Sequence, residues 1–428
     1  MVSKYNFTGG KYMVKVCDAI MGSGKTSAVI SYINAHPEKR FLYITPLLDE
    51  ASRINTSCPD AHFVEPSSTN PKYSFSKSKH TTALIEAGRN ITSTHQAALY
   101  YTKETLRLLK KMNYTIIIDE EITVFEQDNS ISYGDVMLTV DSGHVVEEKP
   151  GYFVRTSKEY GGDKLYKMFR MMESRPLIRI GKKKNDKMWY WVYPKEFLES
   201  ADEVIVLTYL FHNSEMDLFL QMNNIEYTYI GVHKSDDGKY EFTDHPDYIP
   251  DYVSTLKDKI HILEDKKLNA IGDGKHDLSM NWYKTHEDDV GKLRANIWNY
   301  FNRKTNSVPE RRLCGTYNSY WGKIRGKGFW NSDLAFSIKA TNKYRDKNTL
   351  VYPVNLFPNG HVVTFYKNSG YDFDKDRYAL SIMIQWIWRS AIRDGLDINI
   401  YIPSKRMRNL LKNWINDLSN KYEESKQK

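Results

Sequence analysis

Three groups of residues in this chain have the types and the spacing for phosphoryl-transfer chemistry. The first is the stretch Met21-Gly22-Ser23-Gly24-Lys25-Thr26-Ser27. Glycines at 22 and 24 let the backbone turn its N–H groups toward a phosphate, and the N-terminus of a following helix adds its dipole. Lys25 supplies a point charge and Thr26 offers a hydroxyl to Mg²⁺. The stretch is the expected cradle for ATP and Mg²⁺. The second group ends an apolar run, Tyr114-Thr115-Ile116-Ile117-Ile118-Asp119-Glu120-Glu121. There Asp119 is suited to bind Mg²⁺, directly or through water, and Glu120 to orient or deprotonate the attacking water. The third is Gln385, Arg389 and Arg393. Spacing of four and four puts them on one helical face, while Ile384, Ile387, Trp388 and Ala391 pack inward. Arginine suits charge developing on a transferring phosphoryl group, so all three are candidate catalytic residues beside Lys25, Asp119 and Glu120.

Such residues act only if the fold brings them together. The first half alternates β-rich runs with helical patterns: strands are expected at Met13 to Cys17, Arg40 to Thr45, Asn90 to Ser93, Tyr114 to Ile118 and Glu203 to Leu207. Alternation of that kind argues for a parallel sheet covered by helices, with ligands at the carboxyl ends of its strands. That end is where both the glycine loop and the acids fall. From about 127 to 195 the pattern turns charged, aromatic and glycine-punctuated, the mark of a β-rich insertion. Its clearest element is a hairpin, Leu177 to Ile180 and Met188 to Tyr193, with a basic tip at 182–187. A second lobe is expected from 224 to 428, after a first lobe over 1–223, with strands at Lys259 to Leu263, Arg312 to Gly315, Leu350 to Val354 and Ile398 to Ile402. Ser404 to Ile415 reads as a basic amphipathic helix, and the polar residues 421–428 are expected to fray. The fold class is thus α/β, with two parallel-sheet lobes and an inserted β-rich segment in the first.

Bulk properties narrow the partners. Over 428 residues the chain carries a formal charge of +8, a mild bias toward a polyanion. Three separated cysteines offer neither a C-x-x-C pair nor a zinc-like histidine spacing. No run approaches the roughly 18 apolar residues of a membrane span, so a cytoplasmic protein without membrane partners is expected, in host cytoplasm if viral.

Taken together, the motifs resemble superfamily 2 helicases of the DEAD/DEAH type. The loop's A-x-x-G-x-G-K-T form, with Ala19 in place of the first glycine, is similar to their motif I, and Asp119-Glu120-Glu121 stands where the DEAD or DEAH box would. Phe41 to Pro46 looks like motif Ia, Thr92-Ser93-Thr94-His95 like the segment after it, and Leu207-Thr208-Tyr209 like a degenerate motif III. Gln385 and Arg389 keep the first spacing of motif VI, Q-x-x-G-R-x-G-R, but Trp388 replaces the glycine and the second arginine comes one position late. The second half resembles the helicase-like ATPases of tailed bacteriophages more closely, at Lys327-Gly328-Phe329, 339–346 and 385–395. The resemblance implies two RecA-like lobes, ATP and Mg²⁺ as ligands, and nucleic-acid contacts at Thr45, Pro46, Thr94 and His95. It also implies γ-phosphate sensing by Gln385, Arg389 and Arg393 from the second lobe.

The track would be single-stranded or duplex nucleic acid, with DNA favoured over RNA, and replication proteins are expected partners. Tyr320 to Trp330 interleaves cations with aromatics, so Trp321, Lys323, Arg325 and Lys327 are further candidates to hold a strand, against a packed surface loop as the alternative. The function expected is an ATP-dependent DNA helicase or translocase of phage replication or recombination. Two other classes stay open, a packaging-type motor ATPase and a nucleotide-switched nucleic-acid binding protein.

Overall fold

The computed structural model describes residues 13–181, 188–326, 329, 333–336 and 343–427. The chain divides into two compact units. The first comprises Met1–Ala19, Gly24–Tyr248 and Asn359–Phe373, and the second Ile20–Ser23, Ile249–Pro358 and Asp374–Lys428.

In the first unit β1 (Met13–Asp18), β2 (Arg40–Thr45), β3 (Ile91–Thr94) and β4 (Tyr114–Asp119) join one sheet. An antiparallel insertion follows, of β5 (Phe125–Asp128), β6 (Val145–Lys149), β7 (Tyr152–Arg155), β8 (Leu177–Ile180) and β9 (Met188–Val192). The chain then returns to the first sheet with β10 (Glu203–Thr208) and β11 (Tyr227–Tyr229), and adds a hairpin of β12 (Gly231–Lys234) and β13 (Tyr240–Thr243). The order of the main sheet is β11-β1-β10-β4-β2-β3, with every pair parallel. Its inner strands are nearly continuous runs of buried Val, Ile and Tyr, as a sheet covered on both faces requires. One cover is the helix Lys25–Ala35, whose Ala28, Val29 and Ile33 pack on Phe41, Tyr43, Ile117 and Ile205. The five expected strands of this half all lie in this sheet.

The insertion forms its own sheet, β5-β9-β8-β7-β6, over a core of Met168, Phe169, Met171, Met172, Trp189 and Trp191. Its hairpin of β8 and β9 forms as expected, while the basic tip at 182–187 lies outside the described residues. A helix from far along the chain, Gly360–Asn368, also belongs to this unit. Phe365 meets the Phe125 ring at 5.1 Å, Tyr366 donates its hydroxyl to the Glu215 carbonyl at 2.8 Å, and Asn359 bonds Gln127 at 3.0 Å.

The second unit is built on β14 (Ile260–Ile262), β15 (Arg312–Cys314), β16 (Thr349–Val351) and β17 (Ile398–Tyr401), all parallel in the order β14-β17-β16-β15. These are the four strands expected of the second lobe. Two differences concern boundaries. The first unit runs to Tyr248 rather than 223, because β11 pairs with β1 and β13 packs along the helix Lys25–Ala35. Residues 421–426, expected to fray, instead continue the helix Lys405–Lys426. Tyr422 is buried and donates to Asp251 at 3.0 Å, and Lys426 pairs with the same carboxylate.

Candidate nucleotide site

Strand order places the chemistry of the first unit. Because β10 lies between β1 and β4, the loop after β1 and the acids after β4 leave the same sheet edge, with Thr208 between them: Asp18 is level with Thr208 and Leu207 with Asp119. After β1 the chain turns through Gly22 and Gly24, at φ +80° and +96°, the left-handed region that glycine enters without strain. A side chain at Gly24 would also collide with the Tyr240 ring of β13. Ser23 is buried with its hydroxyl unpartnered, and Thr26 and Ser27 follow half-buried in the first turn of the helix. Lys25 folds its ammonium back onto the Ala19 carbonyl.

The electrostatics follow from desolvation of opposite charges at one place. Burial pulls Lys25 below its ordinary value, against the charges of Cys17, Asp18, Asp119 and Glu120. Burial also pushes the Asp119 carboxyl up to about 7. Glu120 and Glu50 add to that push, and the Tyr43 hydroxyl and Lys25 oppose it. A desolvated carboxylate so disfavoured is one that a divalent cation would restore to its ionised form. The residues therefore fit Mg²⁺ and a polyphosphate: two φ-positive glycines, an orphaned buried hydroxyl at Ser23, a half-buried lysine, and a desolvated acid.

Asp119 is held from several directions. Tyr43 of β2 donates its hydroxyl to Oδ2 at 3.0 Å, and the Nε2 of His95 meets the Asp119 carbonyl at 2.9 Å. The next residue, Glu120, takes φ +64°, unusual for a side-chain-bearing residue, and its N–H donates to the Leu207 carbonyl at 2.9 Å. Thr208 donates to Glu121 at 2.8 Å, and Asp18 accepts from the N–H groups of Leu210 and Phe211 at 2.7 and 3.1 Å. The roles of Tyr43, Tyr240 and Asp18 are not visible in the sequence. A tyrosine inside a strand reads as core until its register beside Asp119 is known.

Several expected contacts have other partners. Thr45 is wholly buried and Pro46 half-buried, Thr94 accepts from the Ala97 N–H as a helix cap, and His95 faces the acids. In the second unit Trp321 packs its ring 6.2 Å from Phe329, Lys323 pairs with Glu287, and Arg325 is exposed. Lys327 lies outside the described residues.

The expected single helical stripe of Gln385, Arg389 and Arg393 does not form. The helix Lys375–Ile387 is capped by Trp388, Ser390 is extended at φ −90° and ψ −171°, and Arg393 sits in a separate 3-10 turn, Ala391–Asp394. One local and one tertiary contact accompany the break: the buried Ser390 turns its hydroxyl back onto the Ile387 carbonyl at 2.6 Å, and the Ala391 N–H donates to the distant Lys347 carbonyl at 2.8 Å. Gln385 and Arg389 stay half-buried while Arg393 is exposed. The apolar set packs as expected, with Ile384, Ile387, Trp388 and Ala391 all buried. Met21 to Ser23 group with this second unit, where Tyr252 donates its hydroxyl to the Met21 carbonyl and its ring lies 6.3 Å from that of Trp388.

Among the described residues, no helix is long and apolar enough to cross a membrane. Comparison with known proteins gives three findings. The structure of S. tokodaii Xpd4 is similar over 94% of both chains, with a TM-score of 0.48 and 12% identity. Residues 254–415 match the family model described as the YonV C-terminal Rossmann-like domain. The SPbeta prophage-derived protein YonV of Bacillus subtilis (strain 168) is 35% identical over 414 residues, which is 94% of this chain and 98% of that protein. At that identity and coverage, the chain belongs to the YonV family.

Proposed function

We propose that the chain is an ATP-dependent nucleic-acid motor, a helicase or translocase working on DNA in a phage-related replication or recombination process. The observation that carries this reading is the meeting of a half-buried Lys25 with Asp119 and Glu120 at the carboxyl ends of parallel strands, after a glycine loop. In this reading the loop N–H groups and Lys25 hold the β- and γ-phosphates, Thr26 and Asp119 hold Mg²⁺, and Glu120 orients the attacking water. The metal, when bound, neutralises charge on the phosphate oxygens. Arg389 is the arginine assigned to charge developing at the γ-phosphate, as the half-buried one of the two arginines in its group. The prophage origin of the YonV relative supports a phage setting.

A packaging motor with a carboxylate nuclease is the less supported alternative. Of the acids that could serve it, Asp372, Asp374 and Asp376, the latter two have structural partners: Asp374 caps the helix Lys375–Ile387, and Asp376 pairs with Arg406 at 2.6 Å. The test is ATP hydrolysis by the purified protein without polymer, with single-stranded DNA and with single-stranded RNA, beside Lys25→Ala. Stimulation by one polymer that disappears in the variant is the expected result. Hydrolysis indifferent to both polymers would sink the motor reading.

A further inference from the structure

The second unit carries a groove outside the nucleotide chemistry, with a composition that fits a single nucleic-acid strand. It runs along the helix Glu287–Asn299, beside the turn that follows Trp321–Ile324. Gly291, Arg294, Ala295 and Trp298 recur at helical spacing of three and four, so they form one stripe. The small residues in that stripe leave space; a side chain at Gly291 would meet nothing within 4 Å. With Arg325 and the buried Phe329 they enclose a cavity of about 680 Å³, enough for a nucleotide.

Two features point to the occupant. Trp298 leaves 39% of its surface exposed, whereas six of the eight described tryptophans are buried. Around it stand three exposed guanidiniums, Arg294, Arg303 and Arg325, none with a carboxylate within ion-pair distance among the described residues. Arg303 lies 5.4 Å from the centre of the Trp298 ring. Neighbouring cations are engaged: Lys292 pairs with Asp289, Lys304 with Asp265, and Lys323 with Glu287. The acidic first turn of the helix, Glu287 to Asp289, is thus largely neutralised, and the free positive charge collects at the groove.

We propose that this groove binds single-stranded nucleic acid, with a base stacked on Trp298 and adjacent phosphates held by Arg294 and Arg325. An aromatic face with exposed arginines beside it is the arrangement that holds single strands without reading their sequence. The proposal rests on the nucleic-acid reading above and adds a location to it. Of the basic and aromatic segment 320–330, it retains Arg325 and joins it to residues about thirty positions upstream.

Fluorescence anisotropy of labelled oligothymidine and oligouridine, titrated with the full-length protein over a range of salt, tests it. Trp298→Ala should weaken binding by about five-fold to more than one hundred-fold, the range for loss of one stacked base. Arg294→Ala with Arg325→Ala should flatten the dependence of log affinity on log salt by about 1.4, for two lost phosphate contacts. Binding of a fluorescent ATP analogue and the unfolding midpoint should stay at wild-type values in both variants, since all three side chains are exposed. Wild-type binding with unaltered affinity and salt slope in the variants would overturn the groove alone. A wild-type protein that binds neither polymer would overturn the nucleic-acid reading and the groove together.

Discussion

The acid strand and the arginine segment make an instructive pair. Both were legible as short motifs, yet the geometry inferred from spacing held for one and failed for the other. Tyr114 to Asp119 is a strand because its residues are β-branched, aromatic and buried on both faces, and a strand delivers its last residue to the sheet edge whatever surrounds it. Gln385 to Arg393 has helical spacing throughout, but the helix stops at Ile387 because Ser390 and Ala391 bond to other groups. A helix end depends on what its last carbonyls and the next N–H groups can find nearby, and here one of those partners, the Lys347 carbonyl, comes from elsewhere in the chain.

The comparison can be broken at either member. Asp119→Asn should have the largest effect, lowering ATP turnover by several orders of magnitude while the protein stays folded; turnover within ten-fold of wild type would remove Asp119 from the metal role. Next comes a contrast between two arginines that spacing alone would treat alike. Arg389→Ala should lower turnover by about 10³-fold or more, as loss of a charge-stabilising arginine does. Arg393→Ala, exposed in its separate turn, should change it less than about three-fold. Equal losses in the two variants would restore the single stripe.

Smaller effects sharpen the acid side. Tyr43→Phe removes the hydroxyl on Asp119 Oδ2 and should raise the Mn²⁺ concentration needed for half-maximal nucleotide binding several-fold, as disturbed outer-shell partners do. Unchanged metal dependence would reduce Tyr43 to packing. The smallest effect is on stability without metal. The Asp119 carboxyl titrates near 7 in the folded chain against an ordinary 3.8, so between those values the folded state holds a proton that the unfolded state releases. Its contribution to unfolding free energy therefore falls as pH rises through that window and is level above it. The unfolding midpoint of wild type should drop relative to Asp119→Asn by a few degrees from pH 5 to 7. Parallel curves would show that burial leaves this carboxyl undisturbed.

Much of the fold could be read in advance, for reasons that individual segments show. The nine strands expected in the two parallel sheets are apolar runs closed by turn residues, and each is found. The boundary after Tyr248 could not be read, because β11 is three residues long and belongs to the first sheet only through its pairing with β1. Nor could the assignment of Gly360–Asn368 to the first unit, where Phe125, Gln127 and Glu215 supply its contacts from more than a hundred residues away.

The sequence by itself determined the chemistry available: a glycine loop with Lys25 and Thr26, a strand tip with Asp119 and Glu120, and an arginine-bearing segment, each encoded within a few consecutive residues. Tertiary structure decided which of these groups act on one another. It set β10 between β1 and β4, brought Tyr43 and His95 to Asp119, ended the helix before Arg389, and aligned Arg294 and Trp298 with Arg325. Local residue types fix backbone conformation and charge, whereas register, helix ends and the company of a desolvated carboxylate depend on partners distant in the chain.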